Sequence, residues 1–231
     1  SDVCSSDLGV KLWCDGEKLR TGGSQEVLTP DIIAQLKQYK SEILQLLQEQ
    51  PDILQVYPLS YGQTGLRFLW EVAPQSYTYN LSFAIRIYSQ VDLAIWQQVF
   101  EVLKTHHPML RTTFPKLGQE LVQKVHQNQQ LDFLEIDASS WSEDELYTNV
   151  LQAHRHPFNL ETKPVMRVRW FSHSQQDHIL LLTIHHIALD GWSWNLIAKE
   201  LPQLYQDKLN GIEASLPPLQ YSYQDYVSWQ K

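Results

Sequence analysis

The strongest hydrophobic segment of the chain spans residues 178–184 (HILLLTI) and ends at a pair of histidines. An almost continuous apolar run of this length predicts a strand that is buried on both faces. Because successive strand residues point to opposite faces, His186 would share a phase with Leu182 and Ile184, and His185 would point the other way. Only one of the two imidazoles can therefore face a given pocket.

The rest of residues 52–231 alternates between strand and helix patterns. Strands are predicted at 81–88, 110–114, 120–125 and 165–171, and helices at 92–106, 142–155 and, as the final one, 192–209. Trp96, Val99, Phe100 and Leu103 recur at helical spacing and are predicted to face the core. Mixed strands with helices on one side favour an α/β (α+β) sandwich lobe.

The first fifty residues form a separate unit that ends near a proline-bounded linker at 48–58, and we place the boundary near residue 52. Residues 10–13 and 18–21 flank Asp15-Gly16 and predict a β-hairpin. Thr29 and Pro30 predict a helix start. The apolar face of this helix comprises Ile32, Leu36, Ile43, Leu44 and Leu47. Residues 1–8 have no helical apolar period and are expected to be a non-native leader, which leaves 9–51 as the first domain.

Composition excludes several classes of function. The chain has 231 residues, 43% of them hydrophobic, which is enough for a sizeable core. A net charge of −8 and the absence of a basic stripe argue against nucleic acid. No segment is long and apolar enough for a membrane helix, so we expect a cytoplasmic protein. Cys4 and Cys14 are too few for a disulfide framework and are expected to be free thiols.

The run His185, His186, Asp190 and Gly191 is the candidate site for chemistry. Adjacent strand histidines do not converge easily on one ion, so a metal site is not expected here. The pattern leaves two alternatives, a hydrogen-bonded histidine pair that caps the strand or an imidazole that acts as a general base in a cleft.

This run and several other segments resemble the condensation domains of nonribosomal peptide synthetases. HHxxxDG occurs throughout the wider superfamily that includes chloramphenicol acetyltransferase, but further motifs narrow the match. LSYGQTGLRFLW is similar to the opening motif of these domains, through Ser60, Gln63 and Arg67. HHPMLRTTF resembles their second motif, usually RHExLRTxF, with His106 and Pro108 in place of the usual Arg and Glu. HPFNLETKPVMRVRW and LQYSYQDYVSWQK also look like segments of the family.

The resemblance implies amide-bond formation between carrier-bound acyl or peptidyl and aminoacyl thioesters, with the substrates on phosphopantetheine arms and no cofactor bound directly. It implies that His186 positions the amine or transfers its proton, that His185 is structural, and that Asp190 pairs with Arg111 to hold the loop in shape. Gly191 would let the backbone approach the substrate, donate an N–H to the oxyanion or simply form a turn.

The resemblance also implies one lobe of a two-lobed chloramphenicol-acetyltransferase-like fold. With the chain ending at Lys231, we expect a fragment that carries the donor-side half of the reaction site and that is inactive alone. The alternatives are an interaction module without catalysis and, less favoured, an acyltransferase that uses CoA. Heterocyclisation is disfavoured by the intact histidine pair, and a leading docking segment fits condensation better than epimerisation.

Residues 9–47 resemble the TubC-type N-terminal docking domain of such synthetases. The resemblance implies a small α/β domain that dimerises and binds the C-terminal peptide of an upstream synthetase as a strand beside its hairpin. The predicted interface comprises Lys11, Trp13, Lys18 and Arg20. Basic residues at a free strand edge can attract an acidic peptide.

Overall fold

The N-terminal part of the chain contains a small antiparallel sheet and a helix. The computed structural model describes residues 3–5, 11–15, 18–22, 29–40, 43 and 52–230. The elements of this part are β1 (Val3–Ser5), β2 (Lys11–Asp15), β3 (Lys18–Gly22) and α1 (Pro30–Gln38). The predicted hairpin is confirmed, since β2 pairs antiparallel with β3.

Helix α1 begins where the sequence predicts. The Thr29 hydroxyl accepts a hydrogen bond from the Ile32 N–H at 3.4 Å, and Pro30 occupies the first turn. Ile32, Leu36 and Ile43 are half-buried, whereas Leu44 and Leu47 of the predicted apolar face lie outside the described residues.

The segment predicted to be a leader contributes a strand to this sheet. Val3–Ser5 pairs antiparallel with β2, which gives the order β1-β2-β3. That residues 1–8 are foreign to the native protein stays a prediction.

Residues 52–230 form a mixed α/β lobe. Its helices are α2 (Tyr61–Val72), α3 (Leu93–His106), α4 (Glu143–Arg155), α5 (Gly191–Leu209) and α6 (Tyr223–Gln230), with a 3₁₀ turn at Pro108–Arg111. Its strands are β4 (Ile53–Pro58), β5 (Asn80–Ile87), β6 (Thr112–Thr113), β7 (Lys116–Leu117), β8 (Glu120–His126), β9 (Asp132–Asp137), β10 (Met166–Ser174) and β11 (Asp177–His185). None of the helices within the described part of the chain has the length and apolar character needed to cross a membrane.

The main sheet has the order β5-β11-β10-β9 and is covered by helices on both faces. On one face, Leu180, Leu182 and Ile184 of β11 lie in the core cluster that contains α3 and α5 residues. On the other face, Leu181 packs with Phe171 and with Leu146 of α4. The sequence predicted helices on one side of the sheet, and the structure adds α4 on the second face. The continuous apolar run of β11 fits a strand that is buried on both faces.

The predicted core face of α3 is confirmed. Trp96, Val99, Phe100 and Leu103 are all buried, and Val99, Phe100 and Leu103 are fully inaccessible. Burial of side chains of this size contributes about 1.5–3 kcal/mol each. The core of the lobe is therefore built around the helix that leads to the second motif.

A second sheet, of order β4-β8-β6 with β7 on β8, lies under α6. Here the sequence prediction was wrong in two places. Residues 53–58, assigned to the linker, form strand β4 and pair with β8. Residues 110–114, predicted as a strand, form the end of a 3₁₀ turn and then a two-residue strand, since Pro108 begins a tight turn there.

Candidate functional site

His185 ends strand β11, His186 follows it, and both are held by backbone hydrogen bonds. The His185 N–H donates to the Val165 carbonyl at 2.9 Å, and the His186 N–H donates to the Tyr79 carbonyl at 2.8 Å. His185 is also the register partner of Asn80 in β5. These bonds thus fix the backbone positions of both histidines, although His186 lies just beyond the strand.

The two imidazoles have opposite environments. His185 is 3% exposed and packs against the rings of Tyr79 and Phe158, while its Nδ1 accepts a hydrogen bond from the Ile187 N–H at 3.1 Å. Burial, and secondarily the charge of His186, lowers the pKa of His185 to about 4. His185 is therefore a neutral structural imidazole that shapes the loop.

His186 is exposed and lines a cavity of about 190 Å³. The wall of this cavity is formed by the loop after β11, the first turns of α5, the turn after α3 and Tyr223 of α6. Of the two histidines, only His186 reaches the cavity, in agreement with the strand-phase argument. A solvent-accessible imidazole in a partly apolar recess can accept a proton from a bound group or donate one to it.

Asp190 is the N-cap of α5. Its carboxylate accepts hydrogen bonds from the Ser193 N–H at 2.8 Å and from the Ser193 hydroxyl at 2.7 Å. These bonds lower the pKa of Asp190, because they favour the charged form. The aspartate of HHxxxDG therefore fixes the start of the helix that borders the cavity.

The predicted ion pair between Asp190 and Arg111 is wrong. The Arg111 guanidinium donates a hydrogen bond to the backbone carbonyl of His126 in β8. The carboxylate of Asp52 interacts with it electrostatically. Burial lowers the pKa of Arg111. Within the described residues no ion pair joins Arg111 to Asp190, because the capping serine takes the carboxylate and a strand carbonyl takes the guanidinium.

Gly191 is the first residue of α5 and has an ordinary backbone angle. A side-chain carbon at this position would meet no atom within 4 Å. Of the glycines in the described residues, only Gly118 and Gly211 have a positive φ. Conformation therefore does not require glycine at 191, and the open space beside it lies next to the cavity residues Asp190 and Ser193.

The opening motif supports the cavity from behind. Ser60 and Gln63 form a capping box at the start of α2, and the Gln63 side-chain amide donates to the Ile187 carbonyl at 3.2 Å and to Gln123 Oε1 at 3.0 Å. The Ser60 hydroxyl lies 2.9 Å from the phenol oxygen of Tyr223. The motif thus holds both the loop after His186 and the tyrosine that faces it.

Arg67 is a structural cation in the same motif. It is fully buried, donates to the Phe114 carbonyl at 2.9 Å and to Glu161 at 2.5 Å, and stacks over Trp70 at 4.5 Å. These contacts join α2 to the second motif and to the segment before β10.

Three residues at the site were not predicted from the sequence. Tyr223 and His107 line the cavity, and Glu200 lies with its Oε2 2.6 Å from the Nε2 of His107. Tyr223 lies within the family-like segment LQYSYQDYVSWQK, which was the available signal, although no helix was predicted there. Glu200 had no signal, because its partner is more than ninety positions away.

Two groups of side chains could hold a metal ion within the described part of the chain. They are His106, His107 and Glu200 beside the cavity, and Glu143, His173 and Asp177 at the end of the β10–β11 hairpin. His185, His186 and Asp190 form no such group.

The predicted docking residues lie in the small sheet. Lys11 and Trp13 belong to the middle strand β2, and Lys18 and Arg20 belong to β3, where Arg20 is opposite Trp13. The structure describes the backbone of these four residues and not their side chains. Strand β1 covers one edge of the hairpin, so β3 is the hairpin strand with an edge unpaired among the described strands.

Comparison with known families gives two matches. A family model described as the Condensation domain matches residues 53–231, and one described as the TubC N-terminal docking domain matches residues 5–49. Residues 50–52 separate the two matches.

Curated relatives are peptide synthetases. Bacitracin synthase 3 of Bacillus licheniformis is 33% identical over 182 residues, which cover 79% of this chain and 3% of the relative. Bacitracin synthase 2 of the same organism is 29% identical over 236 residues, covering 96% of this chain and 9% of the relative. The chain therefore spans only a small part of the proteins it matches.

Solved structures show the same fold. The starter condensation domain of rhizomide synthetase RzmA superposes with a TM-score of 0.67 at 18% identity, covering 75% of this chain and 42% of that one. The X-domain in complex with OxyB, from teicoplanin biosynthesis, gives a TM-score of 0.68 at 26% identity, covering 74% of this chain and 37% of that one. The chain belongs to the condensation domain family of nonribosomal peptide synthetases, has the chloramphenicol-acetyltransferase-like fold of that family in its lobe, and carries a TubC-type docking segment before it.

Proposed function

We propose that this chain supplies the donor-side half of a condensation site that joins a carrier-bound acyl or peptidyl thioester to the amine of a carrier-bound aminoacyl thioester. Both substrates would ride on phosphopantetheine arms of carrier domains. The observation that carries the proposal is the division of labour between the histidines. His185 is buried and shapes the loop, whereas His186 presents its imidazole to a recess backed by the family motifs.

The chemistry needs little beyond positioning and one proton acceptor. A thioester is already activated, and an α-amine has a pKa near 7.7–8.0, so a substantial neutral fraction exists at neutral pH. The His186 imidazole would orient the amine and accept its proton as the new C–N bond forms and the thiol leaves. Ser193 also lines the cavity, but its hydroxyl donates to Asp190 and is not paired with His186 as a nucleophile would be.

Asp190 and Gln63 would act by positioning the wall of the site. Asp190 fixes the first turn of α5, and Gln63 holds the carbonyl of Ile187 beside His186. Because the chain spans 42% of the related starter condensation domain, we expect the 231-residue chain to catalyse little by itself.

The test uses a condensation domain in which this lobe is joined to the rest of its parent module. His186→Ala should slow condensation by about 10²–10⁴-fold, the usual contribution of a proton-transfer group, with an unchanged melting temperature. Dipeptide release from loaded carrier domains, followed by mass spectrometry, measures this. The matched control is His156→Ala, which removes an exposed histidine that does not line the cavity.

Two outcomes would overturn the assignment. Near-normal turnover by the His186→Ala domain would remove the imidazole from the chemistry. Equal turnover with a free acyl-CoA donor in place of the carrier-bound donor would instead favour the CoA-dependent alternative.

We also propose that β3 receives the acidic C-terminal peptide of an upstream synthetase as an added strand. The support is the edge of β3, which is unpaired among the described strands, and β3 contains Lys18 and Arg20. Lys11 and Trp13, in the middle strand β2, would complete the predicted interface, and a homodimer through this segment belongs to the same proposal.

A synthetic peptide with the upstream C-terminal sequence, titrated into the 231-residue chain by calorimetry, tests the docking proposal. The double variant Lys18→Glu, Arg20→Glu should weaken binding by at least about tenfold at low salt, whereas Lys37→Glu on the exposed side of α1 should not. An equal loss of peptide affinity in both variants would show only a non-specific charge effect and would contradict the proposed interface. Sedimentation of the same samples measures whether the chain is a dimer.

A further inference from the structure

A second group of chemically capable side chains lies at the cavity wall, apart from His186. His106 ends α3, His107 follows it, and Glu200 lies on α5. The rings of the two histidines meet edge to face with centroids 4.8 Å apart, and His107 Nε2 lies 2.6 Å from Glu200 Oε2. One ligand atom from each of the three residues lies within 4.8 Å of the others, and all three side chains are half-buried.

The local sequence explains why two consecutive histidines converge here. Successive residues of a helix point about 100° apart, so neighbours do not normally share a ligand. Pro108 disfavours helical angles at the residue before it, and His107 accordingly has φ −102° and ψ 97°. The change of backbone direction at His107 brings its ring against that of His106.

Both special residues are departures from the usual second motif. The motif has Arg where this chain has His106, and Glu where it has Pro108. An arginine at 106 could not act as a ligand, because it stays protonated. The cluster is therefore a property of this chain and is not implied by the resemblance.

We propose that His106, His107 and Glu200 form a binding site for a transition-metal dication of the zinc class. Two imidazoles and one carboxylate are a donor set that such ions favour, and they leave a fourth position for water or another ligand. Tetrahedral ligands about 2.0–2.2 Å from the ion are about 3.3–3.6 Å apart. The three ligand atoms already lie within 4.8 Å of one another, so side-chain rotations would complete the site.

Glu200 is available for this role. Among the described residues, no side chain other than that of His107 forms an ion pair with it.

The second cluster gives a useful contrast. Glu143 and Asp177 are already bound by Arg86, with guanidinium–carboxylate distances of 2.6 Å. The Arg86 guanidinium therefore competes with any added metal ion for these two carboxylates. His173 is therefore a matched control, a histidine in a similar acidic group that we expect not to bind the ion.

The experiment is calorimetric titration of Zn²⁺ into the untagged 231-residue chain that carries Cys4→Ser and Cys14→Ser, which removes the thiols as competing ligands. We expect one ion per chain. His106→Arg, which restores the residue of the usual motif, and Glu200→Gln should each weaken binding by at least about tenfold. His173→Asn should bind as the parent does, and Mg²⁺, which prefers oxygen ligands, should not bind measurably.

A second readout locates the ion. Co²⁺ in the same chain should give the visible absorption of a four-coordinate site, and that absorption should be lost in His106→Arg while circular dichroism shows the fold intact. Absence of saturable Zn²⁺ binding would overturn the proposal. So would binding that survives both His106→Arg and Glu200→Gln, or that is lost in His173→Asn. None of these measurements depends on condensation activity.

Discussion

The buried imidazole of His185 should make the lobe sensitive to mild acid. Its side chain is 3% exposed, and its pKa is lowered to about 4 from the ordinary value near 6.5. A lowered histidine pKa means that the folded state resists protonation while the unfolded state accepts it. Stability is therefore complete above about pH 6.5 and is lost as the pH falls toward about 4.

The magnitude follows from the size of the shift. Each pH unit between the unfolded and folded pKa values costs about 1.4 kcal/mol of unfolding free energy. Between pH 7 and pH 4.5 the cost from this one group is on the order of 2–3 kcal/mol. That is a large fraction of the roughly 5–15 kcal/mol typical of a domain.

The informative change is His185→Asn. The asparagine Oδ1 can accept the Ile187 N–H in place of Nδ1, but asparagine does not titrate. Urea unfolding at pH 7 and pH 4.5, followed by tryptophan fluorescence, should show that the variant loses on the order of 2–3 kcal/mol less than the parent over this interval. His156→Asn, at an exposed position, controls for the removal of one imidazole.

Acidic groups that titrate over the same interval are common to all three proteins, so they cancel in the comparison. If His185→Asn and the parent lose the same stability between pH 7 and pH 4.5, the reasoning from burial is refuted. A parent-like pH dependence in His156→Asn is required for the comparison to count.

Three further substitutions probe the supports of the site by urea unfolding at pH 7. Gln63→Ala should cost about 1–3 kcal/mol, because the buried carbonyl of Ile187 loses a donor; no loss would show that water replaces the amide. Asp190→Ala should cost about 0.5–2 kcal/mol through loss of the α5 cap, whereas Asp190→Ser should restore most of it; equal loss in both would contradict the capping role. Arg67→Ala should cost at least about 3 kcal/mol, more than Glu161→Gln, since the arginine is fully buried and the glutamate is half-exposed.

Much of the fold was predictable because local pattern and tertiary environment agree. The run before His185 is apolar on both faces and became a strand covered on both faces. Asp92 and Ser142 begin two of the predicted helices and are the N-caps of these helices in the structure. Elements whose pattern is weak were missed. Strand β4 was hidden in a proline-bounded segment, and α6 is rich in aromatic residues that remain exposed.

The sequence also predicted only part of the candidate site. Strand phase distinguished the inward histidine from the cavity histidine, since alternation is a property of the chain itself. The pairing of Arg111 with Asp190 failed, because Asp190 found a donor three residues away at Ser193 and Arg111 found a strand carbonyl. A local cap needs no loop closure, so it competes well with a distant charge.

The amino-acid sequence was sufficient to predict the family, the hairpin, the core helix α3 and the strand that ends at the histidine pair, because each depends on residue periodicity or on motifs in order along the chain. The surroundings of His186 depend instead on tertiary packing. Tyr223, His107 and Glu200 come from separate elements, and their meeting at one cavity depends on how α3, α5 and α6 pack. Side-chain packing between distant elements leaves no periodic trace in a single sequence, whereas burial and strand alternation do.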